Sequence, residues 1–142
     1  MPLDKDRVKQ GLAQLEEYVR QLRELKDEPE SKYTAMSMTE AAAERMVYKA
    51  MQAALDVAGV VAASLGFGAP KFYRDLFVQL GDKGVISREL QAKLEAMTGM
   101  RNKLAHEYAK VDPKQIYQVV QQDYQDLIEF AGAVAKYLES QA

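Results

Sequence analysis

Between Glu40 and Leu65 the chain is apolar around much of a helix circumference, and this stretch constrains the fold most. Met46, Val47, Ala50, Met51, Ala54, Leu55, Val57, Ala58, Val60 and Val61 leave no broad polar face. A helix buried on so many sides needs several helical neighbours or a second subunit. Both of its ends are marked. Ser37-Met38-Thr39-Glu40 has capping-box spacing, in which Ser37 and Glu40 would satisfy each other's orphan amides. Gly66 and Gly68 supply permissive backbone for the C-terminal turn. Asp56 interrupts the apolar run and is either an ordinary surface carboxylate or part of a site.

The neighbours are legible too. Val8, Leu12, Leu15, Val19 and Leu22 recur at spacings of four and three, with Asp4 as N-cap and Glu28-Pro29-Glu30 as the stop. A polar linker, expected to be mobile, leads to Met36. Pro70 fits the first turn of a short third helix through Leu80, with Phe72, Tyr73, Leu76 and Phe77 as packing groups. Gly81-Asp82-Lys83-Gly84 reads as a turn, and Ser87 caps a fourth helix. Asp112-Pro113 opens a fifth as N-cap and N1, followed by Ile116, Val120, Leu127, Ala131, Val134 and Leu138 near a 3.6-residue period. No strand pattern or internal repeat competes. The expectation is an all-α, antiparallel helical bundle of about five helices, forming a single domain over residues 1–142.

Composition removes whole classes of chemistry. The chain has no cysteine, so disulfides, thiolate nucleophiles and cysteine-based metal sites are excluded. A single histidine cannot build a multi-histidine metal site, although carboxylates could still hold magnesium. The reading therefore expects neither metal nor cofactor. Charged residues follow Pro2 at once and no uninterrupted apolar run approaches the ~18 residues of a membrane span, so a cytoplasmic protein without a membrane partner is expected. Net charge is −2, yet residues 71–114 hold nine Lys/Arg against six Asp/Glu. That excess is either surface scatter or a local basic rim for a polyanion, with Lys103 and Lys110 as candidate contacts.

Chemistry is concentrated in Arg101-Asn102-Lys103-Leu104-Ala105-His106-Glu107-Tyr108. The fourth helix has a stripe of Leu90, Leu94, Met97 and Leu104, and its spacing puts Arg101 in the stripe. A guanidinium on a buried seam is costly unless acceptors meet it. It snorkels out, pairs with a carboxylate, or offers its planar fork to a phosphate. His106 can exchange protons near neutral pH, but lies about 140° around a regular helix from Arg101. A loosened helix after Ala105, or a second subunit, could unite them. Asn102 and His106, four apart, share a face. Tyr108 reads as a packing aromatic at the helix end.

Arg101-Asn102-x-x-x-His106-x-Tyr108 resembles the RX4HXY signature of HepT-type HEPN proteins. Glu44-Arg45, Ala53–Ala58, the Pro70–Tyr73 segment, Gly99-Met100 and Asp112-Pro113 follow in that family's order, so the resemblance covers about residues 40–138. It implies a homodimeric helical bundle acting as a toxin, a metal-independent endoribonuclease. It also implies an MNT-type nucleotidyltransferase antitoxin that adds AMP to Tyr108. On that reading Arg101 and His106 are catalytic and Asn102 supports them, orienting His106 or a phosphate oxygen. The alternative is a non-catalytic HEPN binding module that presents substrate or nucleotide to a partner nucleotidyltransferase.

Overall fold

The computed structural model describes residues 2–141, with the side chain of Tyr108 outside that description. Its helices are α1 (Lys5–Arg23), α2 (Met38–Ser64), α3 (Arg74–Asp82), α4 (Arg88–His106), α5 (Pro113–Gln118) and α6 (Tyr124–Ser140). A π-helical turn, Val119–Asp123, joins α5 to α6, so the last two helices form one continuous arm. Short 3-10 turns occupy Glu30–Lys32 and Tyr108–Lys110. No strand occurs among the described residues.

Helix α2 is the axis of the bundle and packs against α1, α3, α4, α5 and α6. Neighbours within one chain therefore account for its near-continuous apolar surface. An 18-residue window of α2 is apolar enough for a membrane span by length and composition, but its buried residues face these other helices. The closest approach is made by α1, where a Cβ on Gly11 would stand 2.6 Å from Val57 Cγ2. Deeper in the core Phe77 of α3 meets Phe130 of α6 edge to face, with ring centroids 5.7 Å apart.

Four helix starts are capped as the sequence indicates. Asp4, Ser37, Ser87 and Asp112 accept from the backbone N–H of Arg7, Glu40, Leu90 and Lys114 at 2.9–3.1 Å. The capping box at Ser37 is only half made. The Ser37 N–H already donates to the Thr34 carbonyl, and the Glu40 side chain turns inward, where it is 3% exposed.

Other expectations are corrected. Helix α1 ends at Arg23, ahead of Pro29, because successive turns back to Gln21, Leu22 and Arg23 replace the helical pattern. The linker to Met36 is anchored: Tyr33 is buried, packs edge-on against Tyr117 and donates to the Leu25 carbonyl. Helix α3 begins at Arg74 rather than at Pro70, with Asp75 accepting from the Phe72 N–H. Phe72 and Tyr73 thus lie outside the core, about half exposed, while Leu76 and Phe77 are buried. At the end of α2 only Gly66 uses left-handed backbone, at φ +85°. The π turn accounts for the irregular period of the last arm, since its extra residue lets Val119 and Val120 both point inward.

Candidate functional site

The Ser87 cap fixes where α4 starts, and Leu90, Leu94 and Met97 then bury one stripe of it. The next residue on that stripe is Arg101, which is 7% exposed. Its side chain does not snorkel out along the helix, and it meets no carboxylate among the described residues. The guanidinium crosses to α2 and donates from Nε and Nη2 to Gln52 Oε1, at 3.0 and 2.7 Å. Nη1 donates to Asn102 Oδ1 at 3.1 Å. Tyr48 of α2 and Tyr73, just ahead of α3, place their rings 5.3 and 4.7 Å from the guanidinium carbon. Among the described residues Arg101 has no ion pair. Neutral amides and aromatic faces solvate the cation without cancelling its charge.

Beside the guanidinium lies a hollow of about 490 Å³ between the first turns of α2 and the last turns of α4. Ala41, Glu44, Arg45 and Tyr48 line one side; Arg101, Leu104, Ala105 and His106 line the other. Arg101 and His106 therefore border one space although α4 stays helical through His106. The helix breaks one residue later, at Glu107, with φ −140° and ψ 42°.

His106 is exposed and its ring has no hydrogen-bond partner among the described residues. Asn102 shares a helix face with His106, but its side-chain oxygen is committed to Arg101. Lys103 opens onto a different hollow, with Lys93, Asp123 and Asp126. Lys110 is exposed and pairs with Glu107 at 3.6 Å. Tyr108 starts the 3-10 turn after α4, and its side chain lies outside the described residues. No cluster of three His, Asp or Glu able to hold a metal occurs among the described residues.

A second buried charge stands near the hollow. Burial, and then the adjoining Glu44 carboxyl, push the Glu40 carboxyl up to about 7.

A family model described as ribonuclease HepT-like matches residues 15–134. The chain belongs to the HepT-like family. The match takes in the second half of α1, which the motif-bearing segments alone did not reach. Among relatives of this HepT-like chain, a protein named tRNA nuclease HepT from Aphanizomenon flos-aquae is 27% identical over 95 residues. A protein named mRNA nuclease HepT from Shewanella oneidensis is 28% identical over 83 residues. The matches cover 67% and 58% of this chain and 65% and 62% of the relatives, so the chain spans just under two thirds of their length. The tri-AMPylated Shewanella oneidensis HEPN toxin, solved with an MNT antitoxin, superposes with a TM-score of 0.83 at 20% identity, covering 92% of this chain and 98% of that one. At that identity the likeness establishes the HEPN fold.

Gln52, Tyr48 and Tyr73 carry no signal that isolates them in the sequence. Each gains significance only from lying across a helix–helix contact. The one local hint is Gln52 standing four residues before Asp56, the spacing of neighbours on a helix face.

Proposed function

We propose that this HepT-like chain is an endoribonuclease toxin, and that an MNT-type nucleotidyltransferase neutralises it by adding AMP to Tyr108. The observation that carries the reading is Arg101: a buried cation with no carboxylate partner among the described residues, bordering the same hollow as His106. Such a cation suits a group whose negative charge grows during reaction. A phosphodiester attacked by the adjacent 2′-hydroxyl of RNA is such a group, and its nucleophile needs no metal-bound water.

In the proposed reaction a base removes the 2′-hydroxyl proton and the 2′-oxygen bonds to phosphorus. The bond to the 5′-oxygen then breaks, and the leaving oxygen takes up a proton. The products are a 2′,3′-cyclic phosphate and a 5′-hydroxyl end. Arg101 holds the phosphoryl oxygens through the transition state. His106 makes one of the two proton transfers, and a second copy of the motif in a homodimer makes the other. Asn102 supports Arg101 through Nη1. AMP on Tyr108 would bring a phosphate and a purine beside the RNA site, occupying the cation and blocking entry.

Support for this reading comes from the nuclease names of both relatives and from the AMP-bearing toxin that shares the fold. Incubation of bulk tRNA and of an mRNA transcript with the protein in EDTA tests it. Cleavage by wild type that is absent in His106→Ala and Arg101→Ala is expected. Equal cleavage by all three proteins overturns it, and RNA binding without cleavage points to a binding module instead. For Tyr108, an AMP-sized mass increment after incubation with the cognate nucleotidyltransferase and ATP is expected, and is lost in Tyr108→Phe.

A further inference from the structure

Gln52 is committed in two directions at once. Its Oε1 accepts both hydrogen bonds from Arg101, and its Nε2 donates to Asp56 Oδ1 at 3.0 Å. A guanidinium only donates and an ionised carboxylate only accepts. An amide can therefore sit between the two in one orientation alone, with oxygen toward Arg101 and nitrogen toward Asp56. The spacer also keeps the charges apart. Asp56 is exposed and has no ion pair among the described residues, so its carboxylate is free to hold the amide.

The count of donors shows what this leaves for a ligand. Of the guanidinium's five N–H groups, Gln52 takes two and Asn102 takes one. One N–H on each terminal nitrogen remains, so the guanidinium still has two donors to offer a phosphate. A glutamate at position 52 would make the same two contacts with Arg101 while neutralising the cation, but with no donor it would lose the hydrogen bond to Asp56. A glutamine orients the cation and leaves its charge in place.

We propose that Gln52 and Asp56 are positioning residues for RNA cleavage: Asp56 fixes the Gln52 amide, and the amide holds Arg101 aimed and charged for the phosphate. The inference rests on the reading of Arg101 given above. It also gives Asp56 a role that an ordinary surface carboxylate does not have.

Single-turnover cleavage of bulk tRNA, with thermal unfolding of each variant, tests the relay. Gln52→Glu, which exchanges the Asp56 hydrogen bond for an ion pair with Arg101, is expected to stay folded while cleaving about 100-fold more slowly, the scale seen when transition-state charge stabilisation is removed. A generally disruptive change would lower both. Asp56→Ala is expected to slow cleavage about fivefold to tenfold, in line with one lost orienting hydrogen bond. Asp56→Asn, which keeps an acceptor there, should recover most of the rate. In a Gln52→Ala background Asp56→Ala should have no further effect, because Asp56 acts only through the amide. If wild type cleaves and Arg101→Ala does not, a Gln52→Glu protein cleaving at the wild-type rate overturns the relay alone. So does an Asp56→Ala penalty of equal size in both backgrounds. A wild type that does not cleave overturns the nuclease reading, and this inference falls with it.

Discussion

Two charged side chains are buried along the α2–α4 side of the bundle, and the structure treats them in opposite ways. Arg101 is given two amide oxygens and two aromatic faces, so it remains a cation inside the protein. Glu40 has no ion pair among the described residues. Its nearest titrating neighbour is another carboxyl, Glu44, and burial together with that neighbour shifts it towards the neutral acid. The start of a helix favours a carboxylate by ~0.3–1 kcal/mol, too little to offset such burial. The difference supports the proposed placement of function at Arg101. A charge that the fold relieves by protonation contributes to packing, whereas a charge preserved by several neutral partners is available to a ligand.

The sharpest test of that contrast is His106→Ala, which removes the proposed proton-transfer group beside the preserved cation. Cleavage should fall by about 10²–10⁴-fold, the usual contribution of a general acid or base. Because His106 is exposed, the unfolding temperature should stay within a degree or two of wild type, roughly the shift expected for a surface substitution. Arg101→Lys comes next. It keeps the charge but loses the planar fork that Gln52 and Asn102 hold, so a loss of about 10²-fold in single-turnover rate is expected. Undiminished cleavage in Arg101→Lys would break the comparison by showing that charge alone suffices.

At the other buried charge the readout is stability. The folded-state value of Glu40 is raised from 4.5 to about 7, so the folded protein holds a proton that the unfolded chain releases. Its stabilising contribution is present below about pH 4.5 and is lost as pH rises through about 7. Urea unfolding across that range should show a decline of roughly 1–3 kcal/mol attributable to this group. Glu40→Gln, permanently neutral, should flatten the decline without abolishing RNA cleavage. The smallest effect belongs to Ser37→Ala, which removes the cap of α2 at a cost of about 1 kcal/mol. As the capping box is half made, the loss should be the same in a Glu40→Gln background.

Much of the fold could be read from local chemistry. Asp4, Ser37, Ser87 and Asp112 act as caps because an N-cap oxygen bonds to backbone only two or three residues away. Such contacts are encoded within one turn of chain. Phe72 and Tyr73 show the limit of composition: both are large and aromatic, yet they lie before the first turn of α3 and outside the core. Tyr33 shows the converse, an aromatic in a polar linker that becomes an anchor because Tyr117 of α5 is there to receive it. At the candidate site, the position of Arg101 on the buried stripe of α4 was legible. Its sharing of a hollow with His106 was not, because the hollow's other wall is α2.

An all-helical chain, four capped helix starts, and an arginine placed where burial demands partners all follow from the order of residues alone. Which partners those are was decided only by tertiary structure. Gln52 lies 49 residues from Arg101, and Tyr48 and Tyr73 come from two further positions in the chain. A helical period specifies which face of α4 turns inward, but not which helix meets it or in what register. Packing of α4 onto α2 supplied that information, and with it the neutral cradle that leaves Arg101 charged.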